Sequence, residues 1–174
     1  MKIYQILLSF LFWPLLAQAA QPIDPNQLKN QTFPKFLQIS LTDQRARLIE
    51  NNNVIWESIA STGREDKKTE PGIYKITGKH EKWVSTIYKV SMPYFQRFSY
   101  SPMGIHAGPL PGYPGSAGCI RLPLKKAEEL FAMTQEGLPV VIYGRAKPFE
   151  YYKAKARAAK REKFSPYSRR NTPF

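Results

Sequence analysis

The 174-residue sequence contains only one cysteine and two histidines. A single thiol excludes an internal disulfide framework, and one Cys with two His is too few for a closed four-ligand Cys/His zinc site. We therefore predict neither a metal nor a cofactor. Acidic residues are also scarce, since 13 Asp and Glu stand against 26 Lys and Arg, and the formal net charge is +13. Such a surface attracts polyanions, but charge alone does not choose among nucleic acid, anionic lipid and an acidic cell-envelope polymer.

The sequence has no apolar run of the roughly 20 residues that span a bilayer. The eleven-residue run 6–16 follows the positive Met1-Lys2 start and precedes the small-x-small sequence Ala17-Gln18-Ala19. These are the three parts of a secretory signal peptide. We predict that residues 1–19 are removed and that a soluble protein beginning near Ala20 is exported to the periplasm. The alternative is an uncleaved anchor or a buried helix. Export makes nucleic acid the poorest of the three partners.

The rest of the sequence divides into a leader, a core and a tail. Residues 20–35 are polar and proline-punctuated, and we expect no firm structure there. Residues 36–144 alternate apolar and polar positions over short segments between turns, which predicts a sheet-rich domain, a sandwich or a barrel. Pro123 and the spacing of the apolar residues that follow it predict one helix, which ends before Gly137. The predicted strands are 36–41, 46–50, 54–62, 72–77, 83–90, 94–100 and 138–143.

Residues 145–174 form a basic tail with ten Lys or Arg against two Glu. Residues 150–163 are strong helix formers, which favours a helical tail. One interpretation is a solvated helix or a disordered extension. The other is an arm that binds an anionic envelope polymer or a membrane surface.

The densest functional signal is the segment 103–122. It places His106 thirteen residues before Cys119, and Arg121 two residues after it, with four glycines and three prolines between. Such a loop has little apolar content for a core, and it permits close backbone approach. Loops of this kind on a β scaffold often hold reactive groups.

These residue types match the needs of acyl transfer. A thiol with a pKa near 8.5 is weakly ionised at neutral pH, so Cys119 needs a base, and His106 can take the proton and return it to a leaving amine. The N–H groups of Gly118 and Cys119 can receive the charge that develops on an attacked carbonyl. On an extended strand Arg121 projects from the same face as Cys119, where it can bind a carboxylate.

Each residue also has an ordinary interpretation. His106 is then a structural histidine, Arg121 a surface residue and Cys119 an inert buried thiol. A redox sensor is the weakest alternative, because no resolving cysteine is present. His80 lies in a charged turn, and we expect it to be exposed to solvent.

The run from His106 to Pro114 and the Ser116-Ala-Gly-Cys-Ile-Arg-Leu122 segment together resemble the signature of the bacterial L,D-transpeptidase catalytic domain. Upstream, Thr69-Glu-Pro-Gly72 is similar to the family's Thr-Pro-x-Gly turn, and Ser91-Met-Pro-Tyr94 to its Met-Pro-Tyr segment. The resemblance covers roughly residues 36–143. It implies a mainly β fold, an L,D-transpeptidase-like β-sandwich with one short core helix, and peptidoglycan stem peptides as substrates.

The resemblance also implies a reaction. The family's cysteine attacks the bond between the L-centre of meso-diaminopimelate and the terminal D-Ala, and a thioester forms. The acyl group passes to an amine, which gives a 3→3 cross-link or a protein attachment, or to water, which makes the enzyme an L,D-carboxypeptidase. Carbapenems acylate the same cysteine. A non-catalytic peptidoglycan-binding module is the alternative of another class.

Residue by residue, the resemblance makes Cys119 the nucleophile and His106 the general base and acid, oriented through a nearby backbone carbonyl. The residues that it assigns to substrate binding and polarisation are Arg121, Ser116, Gly118 and Tyr94. Ala117 is a departure, because many members carry a histidine there, and the acceptor preference or the environment of the thiol is expected to differ.

Overall fold

The computed structural model describes residues 33–163. The predicted signal peptide 1–19, residues 20–32 of the leader and residues 164–174 of the tail lie outside the described residues. Within residues 33–163 there are eight strands and two helices, which are, in chain order, β1 Lys35–Ser40, β2 Arg45–Glu50, β3 Asn53–Ile59, β4 Gly72–His80, β5 Phe95–Phe98, β6 Gly104–Ala107, β7 Ile120–Leu122, α1 Leu124–Met133, β8 Pro139–Tyr143 and α2 Phe149–Lys163. The predicted mainly β fold with one short core helix is confirmed, and the described part of the basic tail contains the helix α2.

The strands form one sheet in the order β3-β2-β1-β8-β4-β5-β6-β7. Strand β4 belongs to both halves, because Gly72–Lys75 pair with β8 and Ile76–His80 pair with β5. The register shifts between Ile76 and Gly78, and such an irregularity bends a strand. Buried residues of both halves, such as Ile39 and Ile105, belong to one apolar cluster. The two halves therefore enclose a common core, as a sandwich does.

The two ends of the sheet meet where the chain leaves β3. Ser61 pairs with Arg121 of β7, and the two residues exchange N–H···O=C hydrogen bonds of 3.0 and 2.9 Å. Gly63 then pairs with Ser116. The strand that carries Arg121 is thus held from both sides, by β6 and by the segment that follows β3.

Two short strands, β6 and β7, were not predicted. All four residues of β6 are buried, and β7 buries Ile120 and Leu122 on either side of Arg121. The two strands are only four and three residues long and lie in a glycine-rich segment, and β6 is buried throughout, so no extended alternation marks them in the sequence. Helix α1 packs against β6, and it begins at Leu124, so Pro123 is the residue before the helix and not its first residue.

The predicted strand 83–90 was wrong. The segment folds back on itself, since Ser85 N–H donates to Val90 and Lys89 N–H donates to Ser85. Its apolar side chains include Val84 and Ile87, which are 59% and 68% exposed, so alternation occurs here without a core to pack against. His80 was wrongly expected to be exposed. It is half-buried, with its ring 4.4 Å from that of Trp83.

The C-terminus of α1 is closed by a lysine from the sheet. The Lys79 ammonium donates to the carbonyl oxygens of Phe131 and Thr134, two acceptors that the ends of helices leave without partners. A cation at this position also interacts favourably with the helix dipole. Strand β4 is therefore tied to the helix that supports β6.

We expect Lys79→Met to lower the free energy of unfolding by about 1–3 kcal/mol, because both carbonyls lose a charged donor. Urea unfolding of the purified protein measures the change. Lys75→Met is the matched control, since Lys75 is exposed on the same strand and a surface change of this kind stays within about 0.5 kcal/mol. Equal losses in the two variants would contradict the capping role.

Neither helix of residues 33–163 combines the length and the apolar character that crossing a membrane requires.

Candidate active site

The strand pairing brings the three predicted reactive residues together. In the parallel pair β6–β7, His106 is opposite Arg121 and Ile105 is opposite Ile120. Both isoleucines are fully buried in the core, so His106 and Arg121 lie side by side on the other face of the sheet. Cys119 directly precedes β7, and the backbone of Gly104, at the start of β6, is near enough to its thiol to act on the thiol's pKa.

His106 is held in one tautomer. Its Nδ1 lies 2.7 Å from the carbonyl oxygen of Ala107. A carbonyl only accepts, so Nδ1 carries the proton and Nε2 keeps its lone pair. Ala107 thus supplies the backbone carbonyl that the resemblance implied. No hydrogen bond within residues 33–163 joins the His106 ring to Cys119, and this contact is one that often tightens only when substrate is bound.

The resting pair is uncharged. Burial raises the pKa of the Cys119 thiol, while the Gly104 backbone hydrogen bond and the positive charge of Arg121 act in the opposite direction. Burial lowers the pKa of His106, the Ala107 hydrogen bond opposes this, and Arg121 lowers the pKa further. At neutral pH the site therefore holds a thiol beside a neutral imidazole, a base ready to accept the proton.

The pKa shifts of His106 and Cys119 predict how activity depends on pH. A base works only when it is neutral, and the His106 pKa lies below the ordinary 6.5, so the acid limb of kcat/KM should have its midpoint below pH 6.5. The raised pKa of Cys119 causes no loss at neutral pH, because the thiol is the starting form. A pH profile of kcat/KM between pH 5 and 8 measures the effect, and an acid limb centred above 6.5 would contradict it.

The turn before the thiol is built by Ser116, whose buried hydroxyl donates to the Cys119 carbonyl and accepts the Gly118 N–H at 3.1 Å. Gly118 has φ +116°, a conformation that side-chain-bearing residues rarely adopt. The Gly118 N–H is therefore already occupied, although the sequence interpretation had paired it with the Cys119 N–H as an oxyanion hole. Of that pair, the hydrogen bonds of residues 33–163 leave only the Cys119 N–H without a partner.

Sequence reasoning missed the residues that support this turn from behind. Thr69 is buried, and its hydroxyl donates to the Gly118 carbonyl at 2.7 Å and accepts the Gly63 N–H at 2.8 Å. Ser61 donates to the Tyr113 carbonyl at 2.7 Å and accepts from Gly115 N–H. Thr69 had a signal in the Thr-Glu-Pro-Gly segment, whereas Ser61 had none.

Arg121 has no carboxylate within 4 Å among residues 33–163. Its side chain runs over Gly108, where a Cβ atom would lie 3.1–3.2 Å from the arginine's Cδ and Cγ atoms. The absence of a side chain at Gly108 thus gives the arginine its path across the site. A half-buried guanidinium without an acidic partner is suited to binding an anionic group of a ligand.

Tyr94 is placed differently from the other predicted site residues. Its ring packs 5.7 Å from that of Phe131 on α1, and the carboxylate of Glu128, on the same helix, raises the pKa of the phenol. The structure therefore directs this hydroxyl to α1 and not to Cys119 or His106.

No group of three or more His, Cys, Asp or Glu side chains in the described part of the chain is arranged to hold a metal ion. Cys119 is a free thiol. The chemistry that this site offers is nucleophilic attack by sulfur with proton transfer through an imidazole.

Comparisons with known proteins agree with this geometry. Residues 34–142 match the family model described as the L,D-transpeptidase catalytic domain. A solved L,D-transpeptidase from Stackebrandtia nassauensis is 28% identical with a TM-score of 0.62, covering 67% of this chain and 58% of that one. No curated protein sequence matches significantly.

Two further solved structures share the fold. An L,D-transpeptidase mutant from Enterococcus faecium is 22% identical with a TM-score of 0.57, covering 64% of this chain and 50% of that one. An L,D-transpeptidase in complex with imipenem is 22% identical with a TM-score of 0.59, covering 63% and 59%. The present chain thus spans about half to three-fifths of the length of these proteins.

Proposed function

Since the chain belongs to the L,D-transpeptidase catalytic-domain family, we propose that it is a peptidoglycan L,D-transpeptidase that acts through a thioester on Cys119. Membership supports a transferase activity, and the activity, the substrate, the acceptor and the residue roles are our proposal. The observation that carries it is the β6–β7 pairing, which sets a neutral His106 beside an unpaired Arg121 next to the only thiol.

In the first half-reaction the Cys119 proton moves to Nε2 of His106, and the thiolate sulfur attacks the carbonyl carbon of the L-centre of diaminopimelate. The Cys119 N–H donates to the oxyanion that forms. When the tetrahedral intermediate collapses, the C–N bond to D-Ala breaks, and the imidazolium returns its proton to the leaving amine. Free D-Ala and a thioester on Cys119 result.

In the second half-reaction an amine attacks the thioester carbonyl and loses its proton to His106. The C–S bond breaks, the sulfur takes back the proton, and a new amide is formed. With an amine of a neighbouring stem the product is a 3→3 cross-link, and with a protein amine it is a protein attachment. Water in the same position gives a tripeptide, so L,D-carboxypeptidase activity is the second candidate outcome.

Arg121 is the group that we assign to a substrate carboxylate. A planar guanidinium binds a carboxylate through two parallel hydrogen bonds, which fixes the orientation of the bond to be attacked. In a tetrapeptide stem, the carboxylate nearest to that bond is the free carboxylate of the terminal D-Ala.

Export to the periplasm and the binding role of the basic tail are also proposals. Export to the periplasm rests on the sequence 1–19 alone. Helix α2 exposes Lys153, Lys155, Arg157 and Lys160, which supports binding of an anionic envelope polymer or a membrane surface through the tail, and a signal peptide argues against nucleic acid.

The proposed function is tested by incubating the protein with tetrapeptide-rich sacculi and analysing the released muropeptides by mass spectrometry. We expect loss of tetrapeptides with new 3→3 dimers, or with tripeptides if water is the acceptor. Sacculus binding without any product would favour the alternative class, a non-catalytic wall-binding module.

Replacing Arg121 by methionine should raise KM for a tetrapeptide stem at least about tenfold, because one charge-assisted pair is lost. Amidation of the terminal carboxylate should weaken the wild type similarly but leave the variant nearly unaffected, since the two changes remove the same contact. Steady-state kinetics of the wild type and of the variant, each on the free and on the amidated stem, measure the coupling between the two changes. Additive losses would show that Arg121 does not contact this carboxylate.

A further inference from the structure

A groove lies behind the turn that precedes Cys119, on the side of Thr69. Its walls are the loop 62–71, the segment 113–115 and the segment 144–149 that leads into α2. Cys119, His106 and Arg121 do not line it. The groove has a volume of about 1090 Å³, which is at the upper limit of small-molecule pockets and enough for a segment of a polymer.

The C-terminal segment is fixed over the core, so the groove is a defined feature of this fold. Thr42 accepts from the Arg145 N–H and donates to its carbonyl oxygen, both at 3.2 Å. The ring of Phe149, at the start of α2, meets the ring of Tyr113 edge-on at 4.8 Å. These contacts hold the third wall against the segment that precedes Ser116.

The groove carries charges of both signs that form no ion pair with another described residue. Arg64 and Asp66 form an ion pair at 2.7 Å. The other charged lining residues have no opposite charge within 4 Å among residues 33–163; they are the cations Lys68, Arg145 and Lys147 and the carboxylates Glu65 and Glu70. Aromatic and proline surfaces of Tyr113, Phe149 and Pro148 lie among them.

A pure polyanion would meet repulsion from the two carboxylates, and the exposed basic face of α2 suits it better. A ligand that has carboxylates and an ammonium group within a few bonds matches both sets of unpaired charges. A wall stem peptide that contains diaminopimelate has this composition.

The groove is also close to the reacting centre, because only the turn that precedes Cys119 separates the two. Thr69 and Gly63 line it, and the Thr69 hydroxyl bonds the Gly118 carbonyl directly. A strand held here would lie beside the active site without entering it. We propose that this groove is an anchoring subsite for a stem peptide of the wall strand, and that this stem is not the one that reacts at Cys119. The inference rests on the proposed function.

The test compares a single tetrapeptide stem, too short to fill both sites, with a soluble glycan strand that bears several stems. The variants are Arg145→Glu/Lys147→Glu and Glu65→Gln, all at exposed side chains. The control is Lys125→Glu, an exposed position on α1 outside the groove.

We expect the double variant to raise KM for the strand about tenfold and Glu65→Gln to raise it about threefold, with the stronger effect at low salt. The kinetics on the single stem should stay within about twofold of the wild type in both variants, as those of Lys125→Glu should on both substrates. A lower KM for the strand in Glu65→Gln would identify a polyanion site and overturn the proposal. Unchanged strand kinetics would overturn it, and so would an equal loss on the single stem, which would make the groove a support of the Cys119 turn.

Binding of the strand to Cys119→Ala protein, with and without the groove substitutions, separates this proposal from the proposed function. Weaker binding of the groove variants supports the subsite even if the wild type turns over neither substrate. If the wild type is active and all the variants bind the strand equally, the subsite proposal is wrong and the proposed function stands.

Discussion

Cys119→Ala protein should release no D-Ala from tetrapeptide stems, a loss of at least about 10³-fold in turnover. Alanine has no nucleophilic atom, and Cys119 is the only cysteine of the sequence, so no other thiol can replace it. The same variant should show no covalent mass increase after incubation with a carbapenem, whereas the wild type should gain one drug molecule. Liquid chromatography of the stem products and intact-protein mass spectrometry measure the two effects.

The Cys119→Ala protein should remain folded, because the removed sulfur forms no disulfide and the turn is held by Ser116 and Thr69. An unchanged circular dichroism spectrum is therefore the control. Residual release of D-Ala at the wild-type rate, or an adduct of the same mass on the variant, would show that the thioester is not formed at this residue.

The second large effect is expected at His106. In His106→Gln the buried thiol loses its proton acceptor, and burial raises the pKa of Cys119, so little thiolate exists at neutral pH. Removal of a general base typically costs 10²–10⁴-fold, and we expect about 10³-fold in kcat/KM. Raising the pH should recover part of the activity, because hydroxide then ionises the thiol.

The chain offers a matched control in its only other histidine. His80 packs on Trp83 and is not part of the site, so His80→Gln should keep kcat/KM within about twofold. If the two variants lost activity equally, the loss at His106 would have to be attributed to destabilisation. A flat pH profile in His106→Gln would contradict its role as the base.

The sequence predicted the elements whose alternation extends over five or more residues and faces a core. Leu37 and Ile39 of β1, for example, alternate with residues that are less buried. It failed where burial depends on distant partners. Strand β7 has three residues, and it pairs with Ser61, which lies 60 residues before Arg121 in the sequence. No local sequence pattern contains such a contact.

At the site, residue types were predictable and their arrangement was not. Cysteine, histidine and arginine have few roles, so their proximity in the sequence already indicated acyl transfer. Whether an N–H is free depends on its partner, and the Gly118 N–H proved to be bonded to Ser116. Tyr94 was assigned by motif alone, and its hydroxyl meets Glu128.

The position of β8 restricts when the sheet can be completed. This strand is the last of the core in the sequence, yet it lies in the middle of the sheet between β1 and β4, parallel to one and antiparallel to the other. Until residues 139–143 have left the ribosome, no strand connects β1 to β4 in the sheet, and such long-range pairing forms late. The part of the sheet that contains β1, β2 and β3 can therefore join β4 only after the last strand of the core has been synthesised.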